Sequence, residues 1–276
     1  NSTITFYRSQ AYAEGALPII ATPRTLVPPG WTGADYGGNW INTTAVKFTL
    51  TGDKDGGTYQ KSVNDGTWTD CGTTVEITDE GTTNIKFRSK DKAENTSSET
   101  NTYTVNIDNT NPVIEKNSSK ANPVIWTKND VSVTTKIVDV SPLTVIMEIL
   151  DDGEKKLEQK AAKSNGDGTY TAVFSREGKY SKIKIIAKDS VNKESTQINT
   201  VKNGEILIDK TAPSIPTITG RNSDNQLLQG SYTNDTWVHS DKGIYLKPTS
   251  SDIKPNGVNE ISGVSAYKYK IIGSGT

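Results

Sequence analysis

The strongest fold signal in this chain is the stretch Ile107-Asp108-Asn109-Thr110-Asn111-Pro112. It returns about 100 residues later, a period typical of repeated modules, as Ile208-Asp209-Lys210-Thr211-Ala212-Pro213. A second matched pair stands upstream of each copy: Glu80-Gly81 precedes the first and Glu177-Gly178 precedes the second. Two elements that recur in the same order indicate an internal repeat of one structural unit.

Each unit opens with a tryptophan followed by β-forming residues. Trp40, Trp126 and Trp237 hold this position. Apolar and polar residues alternate within the units, which is the period of a half-buried strand; the examples are Val75-Glu76-Ile77, Tyr103-Thr104-Val105-Asn106-Ile107 and Tyr267-Lys268-Tyr269-Lys270-Ile271. Glycine-containing turns separate these stretches, as in Asn64-Asp65-Gly66. Short strands in a unit of about 100 residues predict an all-β fold of tandem immunoglobulin-like β-sandwich modules joined by proline-containing linkers.

The repeat also predicts the domain organisation. Residues 1–35 are expected to be the tail of a preceding module followed by a proline-rich connector. Residues 36–110 form the first module, residues 111–212 the second, and residues 213–276 part of a third. The chain begins at Asn1 without a signal-peptide pattern, so we interpret it as a fragment of a longer protein.

Composition excludes several classes of function. The chain has 31 Lys+Arg against 32 Asp+Glu, so no basic surface is expected for nucleic acid. A single cysteine, Cys71, excludes an intrachain disulfide framework. No apolar run approaches the roughly 20 residues that span a bilayer, so direct membrane insertion is not expected.

The order Glu-Gly, strand, Asp-x-Ala-x-Asn, strand, Ile-Asp-x-Thr-x-Pro resembles the closing half of bacterial Ig-like repeats. These repeats occur in large cell-surface proteins of Gram-positive Firmicutes. Asn64-Asp65-Gly66-Thr67-Trp68 is similar to the central hairpin of that family. The resemblance covers most of residues 36–276 and implies the sandwich fold and a secreted protein at the cell wall surface. The second module departs from the pattern at Asn192-Lys193, where Gly-Asn is usual, and in a charged insertion over residues 154–163.

Two functions are consistent with this composition and repeat. The first is a non-catalytic adhesin segment in host interaction, whose partner is a host glycoprotein such as an immunoglobulin, or a glycan. The alternative is a structural stalk or spacer that presents another domain and contacts only neighbouring modules of its parent protein. An enzyme is not expected and no cofactor is predicted, because titratable groups do not converge: the only histidine, His239, lacks partners in sequence.

Candidate ligand-binding residues are those that break the repeat. Trp31 and Trp68 have no counterpart in the other units, and the insertion contributes Glu154, Lys155 and Lys156. No catalytic residue and no metal ligand is predicted. Asp53 and Asp55 flank a turn without a glutamate at EF-hand spacing, which favours a solvated loop and leaves calcium binding there open. Asp91 and Asp189 hold equivalent positions and are predicted to cap turns through backbone amides.

Overall fold

The computed structural model describes residues 20–25, 37–51, 57–202, 204–221, 245–255 and 257–269. These ranges contain twenty strands and no helix, and the strands form tandem β-sandwich modules, which confirms the predicted fold class. In the part of the chain that is described, no helix is therefore long and apolar enough to cross a bilayer.

The first eight strands make two sheets that face each other. A three-stranded sheet has the order β1-β3-β6 and a five-stranded sheet the order β2-β8-β7-β4-β5. The strands are β1 (Ile20–Thr25), β2 (Gly37–Ile41), β3 (Val46–Thr51), β4 (Thr58–Val63), β5 (Thr69–Cys71), β6 (Thr74–Ile77), β7 (Gly81–Lys90) and β8 (Tyr103–Ile107). Strands β6 and β8 confirm two of the alternating stretches.

The core of this sandwich lies between the two sheets because alternate residues of each strand point inward. Phe48 on β3 and Phe87 on β7 are fully buried, with ring centroids 5.3 Å apart. The Tyr103 ring on β8 lies 5.4 Å from Phe48 in an edge-on arrangement. Burying a phenylalanine side chain contributes about 1.5–3 kcal/mol, so these rings are a main source of cohesion between the sheets.

The next ten strands include a large sheet with the order β10-β11-β14-β13-β12-β16-β17, to which β9 adds by pairing with β11, and a separate pair β15-β18. They are β9 (Val113–Ile114), β10 (Lys120–Asn122), β11 (Val131–Val138), β12 (Thr144–Leu150), β13 (Lys156–Ser164), β14 (Thr169–Phe174), β15 (Gly178–Tyr180), β16 (Lys182–Lys188), β17 (Glu194–Thr200) and β18 (Ile206–Ile208). A last pair joins β19 (Thr217–Arg221) to β20 (Tyr245–Thr249).

The charged insertion of the second module is part of the large sheet. Its residues form β13, which pairs with β12 along most of its length and with β14 at its end. The sequence suggests a loop or a hairpin arm for this charged stretch. The structure shows the hairpin arm, since β13 follows β12 through a tight turn and pairs with it antiparallel, and β13 also pairs with β14. A difference concerns Tyr267-Lys268-Tyr269, whose alternation predicts a strand: the structure assigns none to these residues.

A repeated hydrogen-bond device explains why the Glu-Gly and Ile-Asp-x-Thr elements recur together. The Glu80 carboxylate accepts from the backbone N–H of Asn109 at 2.7 Å and from the Thr110 hydroxyl at 3.2 Å. The Glu177 carboxylate accepts from Lys210 N–H at 2.5 Å and from the Thr211 hydroxyl at 3.1 Å.

Gly81 and Gly178, next to these glutamates, have φ of +103° and +133°, which glycine adopts without steric cost. The motif is thus a structural clasp between the start of one strand and the end of another.

The described chain divides into two compact units. Unit 1 contains the residues up to Val113 together with Val138–Thr144 and Ala187–Ser195. Unit 2 contains Ile114–Ile137, Val145–Ile186 and the residues from Thr196 onward. Unit 1 therefore includes two loops that follow β11 and β16, and these loops carry two of the three residues of the site described next.

Candidate metal centre

Three aspartates from distant parts of the sequence meet within unit 1. Asp108 follows β8, Asp139 follows β11 and Asp189 follows β16. One carboxylate oxygen from each lies within 4.8 Å of the corresponding oxygens of the other two. Three like charges at this separation repel one another, so the cluster needs a compensating interaction.

Two of the three carboxylates are removed from water. Asp108 is 0% exposed and Asp189 is 6% exposed, whereas Asp139 is half-buried. An ionised carboxylate in such surroundings costs several kcal/mol unless it is paired or bound to a metal. In the described residues, no lysine or arginine nitrogen forms an ion pair with any of them at 4.0 Å or less.

The local backbone fixes each carboxylate through one oxygen. Oδ1 of Asp139 accepts from Ser141 N–H at 2.9 Å, and Oδ1 of Asp108 accepts weakly from Thr110 N–H at 3.4 Å. Oδ1 of Asp189 accepts from Val191 N–H at 2.9 Å and from Lys193 N–H at 2.7 Å. The last pair confirms the prediction that Asp189 caps a turn.

The second oxygen of each carboxylate has no such partner. Oδ2 of Asp108, of Asp139 and of Asp189 are all buried at the atomic level, and no hydrogen bond reaches any of them. Buried polar atoms in native proteins are almost always hydrogen-bonded, so three orphaned acceptors in one cluster require an explanation.

The cluster shifts the titration of its most exposed member. Burial raises the pKa of the Asp139 carboxyl, and the negative charges of Asp108 and Asp189 raise that pKa further, against the opposing effect of the Ser141 N–H. A bound cation would remove this repulsion.

The repeat supplies an internal comparison for Asp189. Asp91 stands at the equivalent position of the first module, and its Oδ1 accepts from Ala93 N–H and Asn95 N–H, both at 2.8 Å, confirming the predicted cap. Its Oδ2 accepts from the side-chain amide of Asn95 at 2.9 Å. The residue corresponding to Asn95 is Lys193, and Oδ2 of Asp189 lacks that hydrogen bond.

The repeat supplies a second comparison for Asp108. The N–H of Asp108 donates to Ile41 O at 3.0 Å, and the N–H of its counterpart Asp209 donates to Thr127 O at 2.9 Å. Oδ2 of Asp209, however, accepts from the backbone N–H of Ser262 at 2.9 Å and from its hydroxyl at 2.6 Å. The backbone hydrogen bond is the same in the two copies, and of these two aspartates only Asp108 has an unsatisfied oxygen.

The chemistry of the cluster is that of a cation ligand set. Its donor atoms are oxygens, which hard cations such as Ca²⁺ and Mg²⁺ prefer, and it contains none of the nitrogen or sulfur ligands typical of zinc. Catalysis would also need a nucleophile or a proton-transfer partner positioned beside the acids. The histidine of this chain, His239, lies outside the described residues.

The predicted aromatic contacts are placed as follows. Trp31 lies outside the described residues. Trp68 is half-buried, and the Arg88 guanidinium lies 4.4 Å from the centroid of its ring. Arg88 also donates to the side chain of Gln60 at 2.8 Å. The Trp68 ring therefore makes a cation–π contact with an arginine of the same sandwich.

The predicted polar contacts of the insertion lie close together near the start of β13. Glu154 has φ of +63° in a tight turn, and its carboxylate is 3.1 Å from the ammonium of Lys182. The N–H of Lys155 donates to Asp151 Oδ1 at 2.8 Å. The ammonium of Lys156 lies 3.3 Å from Glu148. Glu154 and Lys156 thus have ion-pair partners within the module.

The sequence analysis did not identify the aspartate cluster. Each aspartate has an ordinary local role, and the three are far apart in sequence. Asp53 and Asp55, for which calcium was left open, lie outside the described residues. One signal is visible in the repeat: Asp139 follows Trp126 at the same distance in sequence at which Asp53 follows Trp40.

Comparison with known proteins gives structural likeness only. No family model matches the chain, and no curated protein matches it. Among solved structures, a tetra-tandem repeat from the extending region of a large adhesion protein is 13% identical, with 82% of this chain and 71% of that chain covered and a TM-score of 0.36.

Chicken CNTN1 FN1–FN3 domains are 12% identical, with 90% of this chain and 98% of that chain covered and a TM-score of 0.38. The fibronectin(III)-like modules of Clostridium thermocellum CbhA are 13% identical, with 69% and 95% covered and a TM-score of 0.26. The fold assigned above rests on the strands and sheets of this chain itself.

Proposed function

We propose that this chain is a non-catalytic spacer segment of a bacterial cell-surface protein, in which tandem Ig-like modules present another domain outside the cell. The observation that supports this role most directly is the clasp made by Glu80 and repeated by Glu177, since it fixes the end of a strand in the same way in two successive copies. A repeated structural device that binds the chain to itself is what a spacer requires.

The charged candidates for ligand binding support the same role. Glu154 pairs with Lys182, and Lys156 pairs with Glu148, whose side chain is 7% exposed. These contacts pair the charges within the module: Glu154 lies in the tight turn before β13, and Lys156 is the first residue of β13. A recognition loop would instead present unpaired polar groups on an irregular segment.

A domain exchange in the parent surface protein tests the spacer role. The chain is replaced by unrelated Ig-like modules of equal number, and the display of the neighbouring domain at the cell surface is measured with an antibody against that domain. Retained display and retained adhesion of the cells are expected. If the exchange keeps display and abolishes adhesion, the chain itself binds a partner and the spacer proposal is wrong.

An adhesive role is the second candidate, and Trp68 is the observation that favours it. A tryptophan ring that is half-buried on a sandwich surface offers apolar area for a sugar or a partner protein. The partners proposed from the sequence are a host glycoprotein, an immunoglobulin or a glycan.

Binding of the purified chain to a glycan array and to immobilised serum glycoproteins, immunoglobulin included, tests this role. The variants Trp68→Ala and Lys155→Ala are compared with the wild-type chain. Binding that is lost only in the tryptophan variant supports adhesion through Trp68, and absence of binding by the wild-type chain ends this second proposal.

A further inference from the structure

We propose that Asp108, Asp139 and Asp189 bind one divalent cation of the calcium class. The proposal goes beyond the spacer role and stands without it, because it depends only on the geometry and burial of this cluster. The cation would connect the segment after β8 to the loops after β11 and β16, all of which belong to unit 1.

The separation of the oxygens fits calcium. Calcium–oxygen distances are about 2.3–2.6 Å, so two oxygens on one calcium ion lie at most about 5 Å apart. The three aspartate oxygens lie within 4.8 Å of one another, which satisfies that limit without movement of the backbone. Magnesium binds at about 2.0–2.1 Å and demands octahedral geometry, which would draw the three oxygens closer together.

The burial of the cluster provides the second and independent observation. Asp108 and Asp189 are more than nine-tenths buried, their Oδ1 atoms are occupied by backbone N–H groups, and their Oδ2 atoms have no partner. The oxygen left available to a ligand is therefore Oδ2 in each residue. A cation bound through the Oδ2 atoms would give each orphaned acceptor a partner and would offset two of the three negative charges.

The internal comparisons show how the repeat satisfies these oxygens at positions where no cluster forms. The same two positions of the repeat elsewhere hold Asp209 and Asp91, and protein donors satisfy both of their Oδ2 atoms. Ser262 provides those donors for Asp209 and Asn95 provides one for Asp91. Asp209 and Asp91 have these protein donors and do not need a cation. Asp108 and Asp189 lack them, and these two carboxylates meet with Asp139.

Calorimetric titration of CaCl₂ into the metal-stripped chain tests the proposal. The result expected is binding that Asp108→Asn and Asp189→Asn each weaken by at least tenfold, because an amide lacks the charge that holds the ion. Asp91→Asn is the matched control: it changes the equivalent residue of the other module, and its calcium affinity should stay within twofold of wild type. MgCl₂ should bind more weakly than CaCl₂.

A second measurement keeps the test decisive if a variant folds poorly. In EGTA, Asp139→Asn should melt at a higher temperature than the wild-type chain, because one of three mutually repelling charges is gone. Added calcium should raise the melting temperature of wild type and Asp91→Asn and leave that of Asp139→Asn nearly unchanged.

The proposal is overturned if the wild-type chain takes up no calcium. It is equally overturned if calcium binds the variants at Asp108 and Asp189 as tightly as wild type, which would place the ion elsewhere, for instance at Asp53 and Asp55.

Discussion

Replacing Glu80 with alanine should destabilise unit 1 and also weaken the metal centre. The carboxylate accepts two hydrogen bonds, from Asn109 N–H at 2.7 Å and from the Thr110 hydroxyl at 3.2 Å. Both donors directly follow Asp108, so the clasp holds the segment that carries this aspartate into the cluster. Glu80 is thus a positioning residue, acting on the cation through Asp108.

The size of the effect follows from those two bonds. Hydrogen bonds to a charged group contribute about 1.5–3 kcal/mol each, and the half-exposed position of Glu80 lowers this contribution. We expect a loss of about 2 kcal/mol in the free energy of unfolding, which is roughly a 30-fold change in the folded-to-unfolded ratio. The midpoint of urea unfolding measures that loss, and the hydrogen-exchange rate of the Asn109 amide reports the broken bond locally.

Glu76→Ala is the matched control for Glu80→Ala. Glu76 is a glutamate of the same sandwich, paired with Lys47 at 3.6 Å, and the two side chains are 45% and 57% exposed. Exposed pairs of this kind contribute about 0–1 kcal/mol, so the midpoint should hardly move. If both variants shift the midpoint equally, or if exchange at Asn109 is unchanged in Glu80→Ala, the clasp does not stabilise the module and this reasoning is wrong.

Three further predictions concern the core, the insertion and the dependence on pH. Phe48→Ala should cost about 3–5 kcal/mol in urea unfolding because it empties the space between the rings of Phe87 and Tyr103; a loss below about 1 kcal/mol would contradict the packing. Deleting residues 154–163 removes most of β13 from between β12 and β14, so the circular dichroism transition of unit 2 should be lost, and an unchanged transition would contradict the pairing. The raised pKa of Asp139 means that the folded, metal-free chain binds this proton more tightly than the unfolded chain does. Its contribution to stability is therefore present below the ordinary carboxyl pKa and is lost as pH rises through the raised value. Calcium should reverse this trend, since its ligands must be deprotonated; a melting-temperature gain from calcium that does not shrink on acidification would contradict the site.

Local sequence patterns predict most of the fold. The strands predicted at Val75-Glu76-Ile77 and at Tyr103-Thr104-Val105-Asn106-Ile107 are confirmed. Val75 and Ile77 are buried with Glu76 exposed between them, whereas the last three residues of β8 are all buried. The turn caps at Asp91 and Asp189 follow equally well, since an aspartate that accepts from backbone amides two and four residues ahead needs no distant partner.

Elements that depend on tertiary pairing are harder to predict from the chain alone. The residues of β13 are mostly charged or small, so composition leaves a loop and a hairpin arm open, and pairing with β12 and β14 makes them a hairpin arm. Tyr267-Lys268-Tyr269 is the opposite case: the alternation is present, and the structure assigns no strand there. For β13 the neighbouring strands decide the structure, and local propensity does not report them.

The aspartate cluster includes a position at which the two copies of the repeat differ in sequence. Asp189 and Asp91 share a turn, but Asn95, which satisfies Asp91, is replaced by Lys193 in the second copy. Asp91 is half-buried and has that donor, whereas Asp189 is buried and lacks it, so the Asp189 carboxylate has an electrostatic cost that Asp91 does not have. A bound ligand would offset this cost. Because two further carboxylates with unpartnered oxygens lie at the same point, that ligand would be a cation. The departure at Asn192-Lys193, visible in the sequence, therefore has a physical consequence: it removes one amide donor beside Asp189.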